Sequence, residues 1–240
     1  MRPPASVFLT AEWRALVMAN WPVAPAVLAP FVPAGTELDT FGGVTFASLV
    51  GFRFLATRVR GFAIPFHADF DEVNLRFYVR RRVGSEVRRG VVFIKEIVPR
   101  RAIAWIANLC YGEHYVTLPM EHSVALPGPI EYAWRHRGRR DRLAVTVAGP
   151  PAPAAPGSEE EFITEHYWGY AQRPGRPTVE YQVEHPRWNC WRVDPRSAAI
   201  DVDFAALYGS AFAPFLAAPP SSVLVADGSP VIVRSGRRLT

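Results

Sequence analysis

The sequence predicts an α+β, β-rich protein with a few short helices, folded as a single domain over residues 1–240. Runs rich in Val, Phe, Tyr and Trp recur along the chain, short arginine-rich tips join pairs of them, and helical periodicity is confined to brief segments. A chain of 240 residues buries most of its unfolded surface in a core. With 49% hydrophobic and 20% charged residues its composition is that of a globular protein, not a disordered or fibrous one.

The elements follow in chain order. Ala15 to Thr36 carries no charge, but Pro22, Pro25, Pro30 and Pro33 interrupt it, so a transmembrane helix is excluded and a short helix over Pro25–Phe31 is expected. Strands are predicted at Gly43–Phe52, Asn74–Arg81, Gly90–Val98, Ile130–His136, Leu143–Ala148, Thr178–Glu184 and Ser222–Arg234. The stretches Arg80–Arg89 and Arg135–Arg142 read as hairpins with solvated arginine tips, and Asp227-Gly228 reads as a further hairpin turn. Arg100–Tyr111 places Ile103, Ile106, Ala107 and Cys110 on one helical face. Ser158-Glu159-Glu160-Glu161 is a capping box, with acidic side chains at the positive dipole end, and opens a helix expected to reach about Gly169. The proline-rich Gly149–Gly157 before it reads as a stiff exposed connection.

Composition also bounds the partners. Cys110 and Cys190 do not make a disulfide framework in a chain of this size. Glu12 and Arg14 interrupt the N-terminal apolar stretch that a secretion signal requires, so the expected location is the cytoplasm. The net charge of +5 and the two basic tips raise contact with nucleic acid as a further reading, but Trp134 is the only aromatic residue close to a tip, where such binding calls for interleaved aromatics. Oligomeric state is open.

Lysine occurs once among the 27 basic residues, at Lys95 within the apolar run Val91–Val98. Plain strand alternation puts Val91, Phe93, Lys95 and Ile97 on one face, and a desolvated amine there is a candidate nucleophile, with a carboxylate-paired or snorkelling lysine as the alternative. Four of the 6 histidines follow a glutamate, at Glu113-His114, Glu121-His122, Glu165-His166 and Glu184-His185. Adjacent strand residues face opposite ways and no metal-ligand spacing is present, so no metal site and no cofactor are predicted. A nucleophile elbow and a phosphate-binding glycine loop are both missing.

Six segments taken together carry a family resemblance. They are Trp13–Trp21 with Val32-Pro33, Phe70–Val79, Phe93–Arg100, Tyr111–Tyr115, Glu161–Tyr167 and Val183–Trp188. In this order they resemble a bacterial family of uncharacterised proteins, domain-of-unknown-function family 2071 (YqjF-like), over nearly the whole chain. That family is distantly similar to acetoacetate decarboxylase, and the resemblance implies a barrel-type sheet around an interior, mostly apolar cavity. It also implies a site. An essential arginine of the enzyme family falls on Arg14 and a glutamate on Glu72, whereas the segment that carries its Schiff-base lysine is Tyr111-Gly112-Glu113-His114-Tyr115, with no lysine. Imine formation by that family's route is therefore not expected.

The candidate catalytic residues are accordingly Arg14, Glu72, Tyr115, His114 and Lys95, and the candidate ligand-binding residues are Arg14, Glu72, Asn74, Arg76 and Tyr115. A guanidinium offers a planar charged fork to a carboxylate or carbonyl, and a cavity carboxyl can move a proton. Arg14 and Glu72 as a purely structural ion pair is the competing reading. Asn74, Arg76 and Tyr78 alternate with Glu72 and either line the same cavity or form an outward polar ladder. The expected function is binding of a small carbonyl- or carboxylate-bearing organic ligand. Turnover by lyase- or hydrolase-like acid–base chemistry stands beside a non-catalytic binder or sensor on the same scaffold.

Overall fold

The first long element is a strand that the sequence hides. Val7–Pro22 (β1) runs for 16 residues in the computed structural model, which describes residues 5–65, 67–100 and 114–239. Its second half shows no alternation because Leu16, Val17, Met18, Ala19, Asn20 and Trp21 are all buried, as in a strand covered on both faces. In chain order there follow Phe46–Val59 (β2), Phe70–Val83 (β3), Glu86–Val98 (β4), Tyr115–Thr117 (β5), Met120–Val124 (β6), Pro129–His136 (β7) and Arg139–Thr146 (β8). Then come Trp168–Ala171 (β9), Val179–Glu184 (β10), Asn189–Val193 (β11), Ala199–Asp201 (β12) and Ser222–Arg234 (β13). The helices are Pro25–Leu28 (α1), extended by a 3-10 turn, Glu159–Thr164 (α2), Phe204–Tyr208 (α3) and Ala213–Leu216 (α4).

Seven of these strands close a barrel. β13, β1, β2, β3 and β4 pair antiparallel in that order, β4 meets β9 in parallel, β9 pairs with β10, and β10 returns to β13 through Val183 opposite Val233 and Glu184 opposite Ile232. A second sheet of four strands, in the order β12, β8, β7 and β6, lies against the outside of the wall. Ile130, Tyr132, Trp134, Leu143 and Val145 of this cover pack with Val17, Ala19, Leu49, Val73, Leu75 and Phe77 of the wall, joined by Phe204 and Leu207 of α3. Burying each such side chain stabilises the fold by roughly 1.5–3 kcal/mol, so this outer interface is a main source of stability. The inner face carries Leu16, Met18, Val50, Phe52, Phe54, Phe70 and Val91 around the barrel axis.

The two arginine-tipped hairpins form as expected, at Gly84-Ser85 and at Arg137-Gly138. Their guanidinium groups are mostly engaged: Arg80 with Glu37, Arg81 and Arg88 with Glu180, Arg89 with Asp39, and Arg139 with Asp141. Asp227-Gly228 is not a hairpin. It lies inside the continuous strand β13, where Gly228 takes φ 95° opposite Arg14, and a Cβ there would sit 1.9 Å from the Trp13 carbonyl oxygen. The turn-like pair is thus a kink that lets two backbones approach. The helix opened by Ser158 has the predicted cap, its hydroxyl accepting from the Glu161 N–H, but stops at Thr164, and Trp168–Ala171 becomes a barrel strand instead. Barrel closure overrides the helical pattern there. Within the proline-rich connection Ala152-Pro153 pairs with Asn189 and Cys190. The helix expected over Arg100–Tyr111 lies outside the described residues. Among the described residues, no helix is long and apolar enough to cross a membrane.

Candidate functional site

β3 supplies the polar half of the barrel interior by simple alternation. Val73, Leu75, Phe77 and Val79 point outward into the covered interface, so Glu72, Asn74, Arg76 and Tyr78 point inward. Glu72, Asn74 and Arg76 line a cavity of about 140 Å³, the size class in which an engineered apolar cavity of about 150 Å³ holds benzene. Trp13, Leu16, Val50, Phe52, Phe54, Phe70, Phe93 and Trp188 form its apolar wall. Trp13 stands edge-on to Phe52 and Phe54, and Trp188 stacks on His185 at 4.1 Å.

Glu72 is the centre of the polar face. Its carboxyl accepts from the Asn74 amide at 2.8 Å and from the Tyr115 hydroxyl at 3.0 Å. Burial dominates its titration: the Asn74 and Tyr115 hydrogen bonds and the Arg76 charge favour the anion, yet desolvation outweighs them and raises the pKa to about 7. A carboxyl so placed is poised to give or take a proton near neutrality. Arg76 contributes a fixed positive charge, its guanidinium carbon 5.8 Å from the Tyr78 ring centre.

The lining holds a second polar group. His166 lies just after α2, packed edge-on against Phe162 and at 4.6 Å from the Tyr78 ring. Its Nε2 faces the Asp39 carboxylate at 3.3 Å, and Arg89 donates to that same carboxylate at 2.7 Å. Burial lowers the His166 pKa to about 4, beyond what the Asp39 hydrogen bond recovers. Burial pushes Asp39 upward, but its bonds to His166 and Arg89 outweigh that and hold it at about 2. The pair is therefore neutral imidazole against carboxylate.

Several cavity-lining polar atoms are buried with no hydrogen-bond partner among the described residues: Trp13 Nε1, Thr57 Oγ1, Asn74 Oδ1, Arg76 Nε and His166 Nδ1. Each such atom costs about 1–3 kcal/mol when left unpaired. Their concentration around one small cavity is the signature of a place built to hold polar groups.

The candidates divide sharply. Glu72, Asn74, Arg76 and Tyr115 converge on the cavity. Arg14 does not: its side chain turns to the outer rim, bonded to Glu12 at 2.8 Å, with Asp227 at 3.5 Å, while its neighbour Trp13 takes the inward position. Neither the shared site nor the Arg14–Glu72 ion pair is formed, and Arg76 is the guanidinium that acts on Glu72. His114 is exposed and its backbone carbonyl accepts from the Glu96 N–H.

Lys95 faces away as well. The register between β3 and β4 shifts between Leu75 and Arg76, so that Leu75 opposes Lys95 and Arg76 opposes Phe93, leaving Ile94 as an extra residue. This bulge puts Val91 and Phe93 inward, then Glu96 inward, and turns Lys95 out toward the cover. There its ammonium donates to the Leu207 carbonyl and lies 5.8 Å from the Tyr208 ring. Burial and the Arg137 charge lower its pKa, but Lys95 is not one of the residues that line the cavity.

Sequence reasoning missed Glu96, His166 and Asp39. The charged Glu96 inside an apolar run and the Glu165-His166 pair were visible signals, but only the bulge and the early end of α2 assign their faces.

The profile of the uncharacterised conserved proteins DUF2071 matches residues 10–230. The uncharacterised protein YqjF of Bacillus subtilis (strain 168) is 26% identical over 195 residues, covering 80% of this chain and 77% of that protein. Among solved structures, acetoacetate decarboxylase from Legionella pneumophila superposes with a TM-score of 0.72 at 10% identity, covering 100% of this chain and 90% of that one. The enduracididine biosynthesis enzyme MppR complexed with pyruvate gives 0.68 at 16% identity, covering 100% and 91%. An acetoacetate decarboxylase-like enzyme from Sphingomonas wittichii RW1 gives 0.64 at 15% identity, covering 98% and 94%. At such identities these structures share the fold.

Proposed function

The chain belongs to the DUF2071 family of uncharacterised conserved proteins, and on the geometry of its cavity we propose that it binds a small organic ligand bearing a carboxylate or carbonyl and moves a proton on it. The observation that carries this reading is the buried Glu72 carboxyl, held by Tyr115 and Asn74, with the Arg76 charge on the same strand face of a small, mostly apolar chamber. Arg76 anchors the anionic or carbonyl oxygen, the aromatic wall holds the carbon skeleton, and Glu72 exchanges a proton with the adjacent atom. Tyr115 is the neutral donor that keeps the Glu72 carboxyl oriented and shares its proton.

The reaction class this supports is proton transfer next to a carbonyl, of the lyase or hydrolase kind, without an imine. The chain's one lysine turns its amine to the Leu207 carbonyl, so among the described residues a Schiff base with an oxo acid has no cavity amine to form on. A structural relative, MppR, is complexed with pyruvate, a 2-oxo acid, which makes small oxo and hydroxy acids the first ligands to try. The proposed setting is the cytoplasm. Contact with nucleic acid is disfavoured, because the arginines of the basic tips are largely paired with carboxylates.

The test is isothermal titration with a panel of short carboxylates and ketones, followed by turnover assays on whatever binds. Glu72→Gln is expected to retain affinity and lose turnover, and Arg76→Met to lose affinity for every anionic ligand by at least about tenfold. If no panel member is turned over and Glu72→Gln binds as the wild type does, the protein is a non-catalytic binder. If Arg76→Met leaves carboxylate affinity unchanged, the anchoring role is wrong.

A further inference from the structure

We propose that His166 Nδ1 is a ligand-binding hydrogen-bond acceptor of the cavity, so that the ligand carries an O–H or N–H group on the same short skeleton as the oxygen held by Arg76. This rests on the carboxylate reading above and narrows it, from carboxylates in general to those with a donor group beside the anion, of which 2-hydroxy acids are the simplest class.

The argument starts from the tautomer. Asp39 is a carboxylate, an acceptor only, already engaged by the Arg89 guanidinium at 2.7 Å and lying 3.3 Å from His166 Nε2. A neutral imidazole facing a carboxylate must place its hydrogen on the nitrogen nearest to it. Nε2 therefore carries the proton and Nδ1 is left with a lone pair. That lone pair belongs to a side chain only 1% exposed, lies on the lining of the cavity, and meets no donor among the described residues. Phe162 and Tyr78 fix the ring plane from two sides, so the acceptor cannot swing away to satisfy itself.

Arg76 and His166 both lie against the Tyr78 ring, the guanidinium carbon at 5.8 Å and the imidazole at 4.6 Å from its centre, and the Arg76 charge reaches His166. One positive fork and one neutral acceptor beside the same aromatic ring select a molecule with an anionic oxygen and a donor hydrogen a few bonds apart. An oxo acid satisfies the first group and leaves the second unpaired. A hydroxy or amino acid satisfies both, and for the amino acid the neutral acceptor meets an ammonium N–H.

The experiment compares two acids of one skeleton, 2-hydroxyisovalerate and isovalerate, by isothermal titration on the wild type and on His166→Gln. Glutamine keeps an N–H to offer Asp39 at the Nε2 position and takes the acceptor away from the Nδ1 position, its amide oxygen branching from the carbon beside that N–H. The expected result is a preference of at least about tenfold for the hydroxy acid in the wild type that collapses toward unity in the variant. Equal affinities in the wild type overturn the inference and leave the carboxylate reading standing; if neither acid binds, the carboxylate reading falls and this one with it. A second readout does not depend on the variant folding. In ¹⁵N-histidine spectra of the wild type, His166 is expected as the Nε2–H tautomer, with its Nδ1 resonance shifting on saturation by 2-hydroxyisovalerate. An Nδ1–H tautomer in the free protein sinks the proposal.

Discussion

The two faces of β3 are made from alternate residues of one strand and obey different rules. Outward, Val73, Leu75, Phe77 and Val79 are each 0% exposed and apolar, and they meet a cover of Ile130, Tyr132, Trp134 and Leu143. Inward, Glu72, Asn74 and Arg76 place a carboxyl, an amide and a guanidinium around a small chamber, with polar atoms left unpaired. The outer face is packed for stability. The inner face gives up stability, since each buried polar atom without a partner costs about 1–3 kcal/mol. A fold tolerates that where the groups have a use, and the covered outer interface is what offsets it.

The largest effect should come from breaking the outer face. Phe77→Ala empties a fully buried position and is expected to cost about 3–5 kcal/mol in urea unfolding. Affinity for a cavity ligand, measured on the folded fraction, should stay within about threefold, because Phe77 does not line the chamber. A large loss of affinity with modest loss of stability would mean that the two faces are coupled rather than separate.

Acidification probes the inner face next. Glu72 has its pKa raised from 4.5 to about 7, so its folded form holds a proton that the unfolded chain has released, and the cost of ionising it is fully present above about 7. Lowering pH from 7 to 4.5 therefore stabilises the wild type relative to Glu72→Gln, by on the order of 3 kcal/mol. His166 acts with the opposite sign. Its pKa falls from 6.5 to about 4, so the unfolded chain takes up a proton that the folded one refuses, and stability is lost as pH falls through that window. The two slopes offset each other in the wild type and separate in the variants: Glu72→Gln should become more acid-sensitive between pH 6.5 and 4.5, and His166→Gln less. Parallel stability curves for all three proteins would show that neither group is buried as described.

A smaller and more local change is Tyr115→Phe. It removes the hydroxyl that donates to Glu72 at 3.0 Å and favours its anion, so the Glu72 pKa should rise further above 7, followed by carboxyl ¹³C titration. The loss of one such bond is worth about 1 kcal/mol, and a Glu72 titration unmoved by the substitution would remove Tyr115 from the site.

How far the sequence foretold these faces depends on the residue. Glu72 entered through the family resemblance, and regular alternation along β3 put Asn74 and Arg76 on its face while leaving open whether that face lines the cavity or forms an outward ladder. Tyr115 reached the same site through the family resemblance. The hairpin tips were legible because Gly84 and Gly138 mark their turns locally. β1 was not, since burial on both faces erases its alternation, and neither was the end of α2, which barrel closure decides. Arg14, placed by the family resemblance, and Lys95, placed by alternation, both lie outside the cavity lining. Each sits beside an irregularity, Ala15 at φ 54° in β1 and the extra Ile94 in β4, and a single inserted residue exchanges inside for outside.

That exchange makes Lys95 the sharpest test of the separation between the faces, because here the expected effect on the site is nil. A chain with one lysine, set two residues from the inward Phe93, invites imine chemistry, and regular alternation would deliver the amine to the cavity. The bulge delivers it instead to the Leu207 carbonyl and the Tyr208 ring, under the cover. Lys95→Met keeps the length of the side chain and removes its charge, so it should shift stability by less than about 1.5 kcal/mol and leave cavity affinities within about twofold. Borohydride reduction in the presence of pyruvate should give no adduct at this position by mass spectrometry, in the wild type as in any variant of the inner face. An adduct on Lys95 would place the amine inside after all, and with it the division of labour between the two faces of the wall would have to be redrawn.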